Sequence, residues 1–241
     1  MRRRYVCVTI VGVLAAAVAL SATGGAASSV RHGRMHRITN STSTNWSGYA
    51  VTGSRYTSVT ASWTEPTVSC TGATAYSSFW VGLDGDTSNT VEQTGTDADC
   101  SGSTPQYYAW YEMYPKFPVN LSQPVSPKDN LTATVTTDGR GGFTLTISDT
   151  TKGWTNTTTA RLKSAKLASA EVIAEAPSSS GGVLPLANFG TVNFSGAKAN
   201  GATLTSSTPG IDPITMQSGS TVKAQPSSIS NGAFGVTWRH S

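Results

Sequence analysis

The chain has 241 residues, with 17 Lys+Arg against 13 Asp+Glu and a formal net charge of +4. Arg2, Arg3, Arg4, Arg31, Arg34 and Arg37 all precede Asn45, so from Asn45 to Ser241 there are 11 Lys+Arg against 13 Asp+Glu, a net of −2. That balance excludes a nucleic-acid-binding domain, which needs clustered Lys/Arg on the folded part, and a low charge of 12% with abundant Thr, Ser and Gly is a composition of sheets.

From the N-terminus, Arg2 to Arg4 form a basic region, Tyr5 to Leu20 an apolar run, and Ala22 to Ala27 a stretch of small residues. This is the pattern of a secretory signal peptide, assigned to residues 1–27. The apolar run falls short of the roughly 20 residues that a membrane span requires. Cys7 lies inside it, away from the cleavage point where a lipid-accepting cysteine would sit. Residues 28–44 carry His32, His36 and three arginines without apolar periodicity, and read as a short pro-segment or disordered leader.

Residues 45–241 have the length of a single domain with an ample core. Short alternating segments are expected as strands at Tyr56–Trp63, Ser77–Val81, Tyr107–Tyr114, Leu131–Thr137, Gly142–Ser148, Ala160–Leu162, Glu171–Ala176, Leu186–Phe194, Thr221–Lys223 and Phe234–Trp238. Almost nothing reads as a long helix. Many antiparallel strands in one domain bury a face against a second sheet, so the expected fold is an all-β sandwich. Cys70 and Cys100 are expected to form a disulfide, as an isolated pair in an exported chain does. A zinc site is the poorer alternative, because the two thiols lack nearby histidines.

Much chemistry is excluded by what the domain lacks. His32 and His36 fall in the leader and His240 is next to last, so no imidazole is expected in the core for a Ser-His-Asp or Cys-His mechanism. No Gly-x-Ser-x-Gly elbow, phosphate loop or Cys-x-x-Cys motif occurs. Carboxylates remain. Asp129, Asp138 and Asp149 sit at turns and read as solvated charges. In a strand, Glu171, Ile173 and Glu175 share one face, opposite Ala170, Val172 and Ala174. Four residues at about 3.4 Å each put the two acids about 13 Å apart, too far for one dyad. One of them needs a partner from elsewhere, or both belong to an exposed strand face. Gln93, beside Gly95, offers a neutral amide for a developing oxyanion, although spacing alone does not single it out from other glutamines.

Six segments carry a more specific signal: Asn45-Trp-Ser-Gly48, Trp80-Val-Gly-Leu-Asp-Gly-Asp86, Gln93-Thr-Gly-Thr-Asp97, Ala109-Trp-Tyr-Glu-Met-Tyr-Pro115, Ala170-Glu-Val-Ile-Ala-Glu175 and Ala187-Asn-Phe-Gly-Thr-Val-Asn-Phe194. In order and spacing the chain resembles the glutamic peptidases, or eqolisins, from Asn45 to about Gly196. The resemblance implies an endopeptidase active at acid pH on a sandwich of two bent antiparallel sheets, a concanavalin-like jelly roll. It places the catalytic glutamine on Gln93 and the catalytic glutamate on Glu175, with Trp46, Asp84, Asp97, Trp110 and Glu112 near the cleft. No metal or cofactor is implied. The partners implied are polypeptide substrates, with no nucleic acid, no membrane after signal removal, and a secreted monomer. Val172 and Glu92 depart from the family, which often has Trp and Leu there; both are expected on the face opposite the catalytic side chains.

Two other readings stay open. A glycosidase on a similar sandwich would use Glu112 and Glu175 as its two carboxylates. A non-catalytic binding module would hold calcium through Asp84 and Asp86, whose Asp-Gly-Asp element is otherwise a tight turn with capping aspartates.

Overall fold

The computed structural model describes residues 30–33, 35, 37–39 and 41–241. The expected signal peptide, with Cys7, and His36 lie outside the described residues. Among the described residues every regular element is a strand, numbered here in chain order, and no helix is long and apolar enough to cross a membrane.

Two sheets make the sandwich. The first runs β17 (Ile211–Ser218), β3 (Trp46–Thr52), β12 (Ser169–Glu175), β5 (Ser78–Leu83), β6 (Val91–Ser101), β7 (Thr104–Tyr114) and β8 (Val119–Pro124), antiparallel throughout. The second runs β1 (Arg37–Thr39), β2 (Thr42–Ser43), β17 again, β18 (Thr221–Pro226), β19 (Phe234–Trp238), β15 (Thr191–Ala199), β4 (Ser58–Thr64), β9 (Asn130–Thr137), β10 (Gly142–Asp149) and β11 (Trp154–Arg161). β17 joins both sheets: its first half pairs with β3, and its second half with β18 and, in parallel, with β2. Two-residue strands β13 (Ser178–Ser179) and β14 (Gly182–Val183) form a small hairpin, and β16 (Ala202–Thr203) folds back on β15.

The second sheet follows the period-two code. Val59, Ala61 and Trp63, then Leu131, Ala133 and Val135, then Phe143, Leu145 and Ile147, all point inward. The residues between them are Ser and Thr, whose hydroxyls bond across strands, as Thr60–Thr134 at 2.8 Å and Ser62–Thr132 at 2.7 Å. Their inward faces meet Val51, Phe79, Val81, Ala98, Met113 and Val172 of the first sheet in one core, whose apolar burial drives the layers together. Cys70 and Cys100 are joined as expected, with Cα atoms 5.4 Å apart, tying the loop before β5 to the end of β6.

The first sheet departs from that code: β3, β5, β6 and β12 are buried along nearly their whole length, on both faces. One face meets the core. The other carries a second apolar cluster of Trp46, Ala50, Trp80, Val91, Trp110, Ile173 and Ile214, interleaved with carboxylates.

Phe234–Trp238 matches its expectation, and most of the others hold with shifted ends. Leu186–Phe194 does not: Leu186 and Asn188 make isolated bridges, and the strand starts at Thr191, after Gly190 turns the chain with φ +65°. β3 has no counterpart among the expected strands, because Trp46-Ser-Gly-Tyr lacks apolar alternation. Gly48 explains its composition: a Cβ there would lie 2.3 Å from the Val172 carbonyl oxygen of β12. The turn acids are a further correction. Asp129 and Asp149 are buried, and accept backbone N–H bonds from Ser126 and from Thr151 and Lys152. Their turns close over them, whereas exposed Asp138 matches its expectation.

Candidate active site

Period two places Glu171, Ile173 and Glu175 of β12 on the outer face of the first sheet, with Ala170, Val172 and Ala174 in the core. The same rule turns Gln93 and Asp97 of β6, Trp110 and Glu112 of β7, Trp80 of β5 and Trp46 of β3 outward. Pairing brings Gln93 opposite Glu112 on one side and Gly82 on the other, while Glu175 lies opposite Ser78 and Trp46. Gln93 and Glu175 therefore sit on strands that β5 separates. Close packing behind them depends on Gly95, where a Cβ would fall 2.2 Å from the Phe79 carbonyl oxygen and 2.5 Å from the Trp80 Cβ.

The two side chains meet on one peptide bond of the leader. Gln93 Nε2 donates to the His32 carbonyl oxygen, and the Gly33 N–H donates to Glu175 Oε1 at 3.1 Å. Glu175 also accepts from Asn45 Nδ2 at 3.3 Å and from Trp80 Nε1, on Oε2, at 2.8 Å. Glu112 Oε2 accepts from Gln93 Nε2 and from the His32 N–H, both at 3.1 Å, which fixes which way the amide points. Gln93 Oε1 has no hydrogen-bond partner among the described residues.

Beside this pair lies a side-chain pocket. The His32 imidazole stacks on Trp110, ring centroids 3.7 Å apart and planes 3° off parallel, and its Nε2 is 3.1 Å from Asp97 Oδ2. Asp97 accepts from Ser78 Oγ and Trp110 Nε1, each at 2.6 Å, so it holds the indole that the imidazole stacks on. Tyr108 places its hydroxyl 2.9 Å from Asp97 and 2.7 Å from Asp99. One hydroxyl proton cannot serve two carboxylates, so a carboxyl proton completes the set. Burial, then the Asp97 charge, pushes the Asp99 carboxyl well up.

Burial governs the other groups too. It pushes the Glu175 carboxyl well above the ordinary carboxylate range; the His32 charge and the Gly33 N–H pull it back, and Glu112 adds to the rise. Glu112 is raised to about 9, by burial against the opposing pull of the His32 N–H. Burial disfavours charge on His32, but its contacts with Asp97 and the charges of Glu175 and Asp99 together outweigh it, and its pKa is raised.

A Peptidase A4 family model matches residues 44–238. The chain belongs to the Peptidase A4 family. It is 32% identical over 181 residues to aspergillopepsin-2 of Aspergillus niger, covering 65% of this chain and 64% of that protein. It is 38% identical over 105 residues to scytalidopepsin B of Scytalidium lignicola, covering 42% and 39%. The matches thus span less than two thirds of both curated relatives, 64% of the first and 39% of the second. A scytalido-glutamic peptidase structure superposes with a TM-score of 0.72 at 24% identity over 81% of this chain and 98% of that one, which shows the sandwich of two bent sheets. The aspergilloglutamic peptidase of Aspergillus niger gives 0.61 at 28% identity, over 68% and 99%.

On this Peptidase A4 scaffold, six of the residues singled out from sequence gather around the His32–Gly33 unit: Gln93, Glu175, Trp46, Asp97, Trp110 and Glu112. Asp84 stands apart as a loop cap. Its two oxygens accept the backbone N–H groups of Lys166, Leu167 and Ala168, each at 2.8 Å, from a left-handed turn with φ +68°. A carboxylate so engaged fits the capping turn rather than a calcium ligand. Asp84→Ala leaves three amides unpaired and is expected to lower stability by roughly 2–5 kcal/mol, read as a fall in the urea midpoint.

The structure also corrects the expectation that no histidine belongs to the core. His32 is 1% exposed, because the leader lies in the cleft instead of remaining free. Asn45 and Trp80, both inside the segments that carried the resemblance, bind Glu175 directly. Tyr108, Ser78 and Asp99 carried no signal beyond their strand positions. Glu92 lies on the core side of β6 as expected, but burial and the Asp84 charge raise it to about 9.

Proposed function

We propose that this chain is a secreted endopeptidase that hydrolyses polypeptides at acid pH with a Gln93/Glu175 dyad and an activated water. One observation carries it: Gln93 and Glu175 contact the carbonyl oxygen and the amide nitrogen of the same peptide bond. Ionised Glu175 accepts a proton from water as the water oxygen attacks the carbonyl carbon. The Gln93 N–H donates to the oxyanion that forms, and protonated Glu175 then delivers the proton to the leaving nitrogen. The unpartnered Gln93 Oε1 is available to orient the water. Glu112 and Glu175 both accept main-chain N–H groups, which is peptide recognition and counts against the glycosidase reading. No metal or cofactor enters this scheme.

Acid operation is supported by the surrounding carboxyls. Glu65, Glu92, Glu112, Glu171 and Asp99 are all raised by burial and are neutral at low pH. The Cys70–Cys100 disulfide agrees with export to an oxidising compartment. The test is release of new α-amino groups from denatured casein at about pH 4, with a polysaccharide control and EDTA present. Sugar release in place of peptides, or loss of activity in EDTA, overturns the reading.

Glu112 is a positioning residue here. Glu112→Ala frees the Gln93 amide and is expected to lower kcat by roughly tenfold or more with little change in KM. Glu112→Gln, which keeps an acceptor oxygen, restores most of it. Equal losses in both variants would remove the assignment.

A further inference from the structure

We propose that the end of the sandwich where Arg55, Arg140, Arg161, Lys163 and Lys166 gather is a docking surface for an acidic polysaccharide. The inference does not depend on the Gln93/Glu175 reading, because the loops that build this surface carry no residue of that site.

Folding sorts the charges of the chain. From Asn45 to Ser241, ten of the thirteen acids are buried, Asp86 and Asp212 are half-buried, and Asp138 alone is exposed. Ten of the eleven Lys and Arg residues there are exposed, and only Lys223 is buried. A stretch whose sequence balance is −2 therefore presents a strongly positive surface. Acid conditions sharpen the contrast, since burial raises Glu65, Glu92, Glu112, Glu171 and Asp99 and leaves them neutral there. An excess of one sign on a surface draws partners of the other sign.

Five of the exposed cations lie together. Arg55, on the loop after β3, donates from its guanidinium to the Gly139 carbonyl at 2.6 Å, in the turn between β9 and β10. Gly142 of that turn pairs with Arg161, and a Cβ on Gly141 would lie 3.1 Å from the Lys163 Cα. Arg55 and Lys166 line one groove with Thr52 and Thr87. Few acids oppose them. Asp138 holds the turn by accepting the Arg140 and Gly142 N–H groups at 2.7 and 2.9 Å, and buried Asp84 is engaged by the amides of Lys166 to Ala168. Asp86, next to Thr87, is half-buried.

The neighbouring chemistry selects the partner. Arg161 and Asp138 border a groove of about 550 Å³ on the outer face of the second sheet, where Thr136, Thr144 and Thr159 stand side by side. Cations beside hydroxyls match a chain of sugars that carries carboxylates or sulfates, because guanidinium forks take the anions while threonines bond the sugar hydroxyls. Other polyanions fit less well. Single nucleic-acid strands stack their bases on aromatic rings, and the aromatics of these segments, Tyr56 and Phe143, are buried. A membrane surface takes up apolar side chains, and the large ones exposed among the described residues, Phe117 and Val119, belong to the β7–β8 connection. The groove lies on the second sheet and the Gln93/Glu175 site on the first, so docking and the cleft use different faces.

Binding of the full chain to immobilised polygalacturonate, dextran sulfate, neutral dextran and duplex DNA at about pH 5 tests this. At least one of the two acidic polymers is expected to retain it, which also names the anion, and neutral dextran is not. Arg140→Gln/Arg161→Gln/Lys163→Gln/Lys166→Gln should raise the Kd at least about tenfold, through the loss of several exposed ion pairs. Lys128→Gln/Lys198→Gln/Arg239→Gln, which removes three cations elsewhere, should change it less than about twofold. Thr144→Val/Thr159→Val keeps the charge and the strand preference, yet should weaken polysaccharide binding about threefold or more by removing hydrogen bonds. A thermal melt checks that each variant is folded. No retention of the wild type, equal retention on neutral dextran, or tighter binding to DNA than to either acidic polymer overturns the proposal. So does an equal loss in the two charge variants, or unchanged binding by the threonine variant.

Discussion

Glu175→Gln should reduce kcat on denatured casein by roughly 10³–10⁴-fold at acid pH, and Gln93→Ala by roughly 10²–10³-fold. The two losses differ because the side chains do different work. An amide in place of the Glu175 carboxyl cannot carry a proton from water to the leaving nitrogen, whereas a methyl in place of the Gln93 side chain removes one hydrogen bond to the oxyanion. The fold should survive both. Glu175→Gln keeps one side-chain oxygen for the donors now shared among Gly33, Asn45 and Trp80, so the stability loss is about 1–3 kcal/mol. Circular dichroism and a thermal melt check that point. A variant of either residue that retains a tenth of wild-type kcat would remove the dyad.

Stability should fall as pH rises from about 4.5 to 9, the reverse of proteins held together by paired carboxylates. Burial raises Glu65 from 4.5 to about 8 and Glu92 from 4.5 to about 9, and pushes Glu171 well up in the same way. Below the ordinary glutamate pKa these groups are protonated whether the chain is folded or not, so the folded state carries no penalty. Above it the unfolded chain releases protons that the folded chain keeps. The stability present at low pH is then lost progressively as pH climbs through the raised values. At 1.36 kcal/mol per unit, two or three such groups remove at least about 5 kcal/mol, a fall in Tm of roughly 10–20 °C for a domain of this size. Glu65→Gln, which keeps an acceptor for Thr96 and Trp63, should flatten the upper part of the curve. A Tm that rises between pH 4.5 and 9 would contradict the burial argument.

The same burial links stability to function. A cleft that concentrates Glu112, Glu175, Asp97 and Asp99 within one sheet face is tolerable where several of them are neutral. Acid conditions therefore suit the scaffold, while the N–H groups of Asn45 and Trp80 favour the ionised form of Glu175 that the reaction needs.

Legibility in the sequence varied with the kind of interaction. Strands β9 and β10 were readable because alternation of Leu/Val/Ile with Thr is local and has period two. The face formed by Glu171, Ile173 and Glu175 followed from the same rule and is present as read. β3 was hidden, since Gly48 serves a close approach of two backbones that lie far apart in sequence. The leader was hidden for a related reason. Its contacts are mostly main-chain hydrogen bonds, which leave no periodic trace, and so His32 read as a residue outside the core. Asp129 and Asp149 misled because a turn acid looks the same whether water or backbone amides solvate it.

By itself the sequence determined the all-β class, the disulfide pair, the opposite faces of β12 and, through six ordered segments, the resemblance that singled out Gln93 and Glu175. Local alternation and short motifs carry that information along the chain. Only the tertiary structure decided that the two residues, on strands separated by β5, converge on one peptide bond, and that the bond belongs to the leader. Convergence across strands depends on register, on the space left by Gly95 and on the indoles of Trp46, Trp80 and Trp110, none of which one-dimensional spacing records.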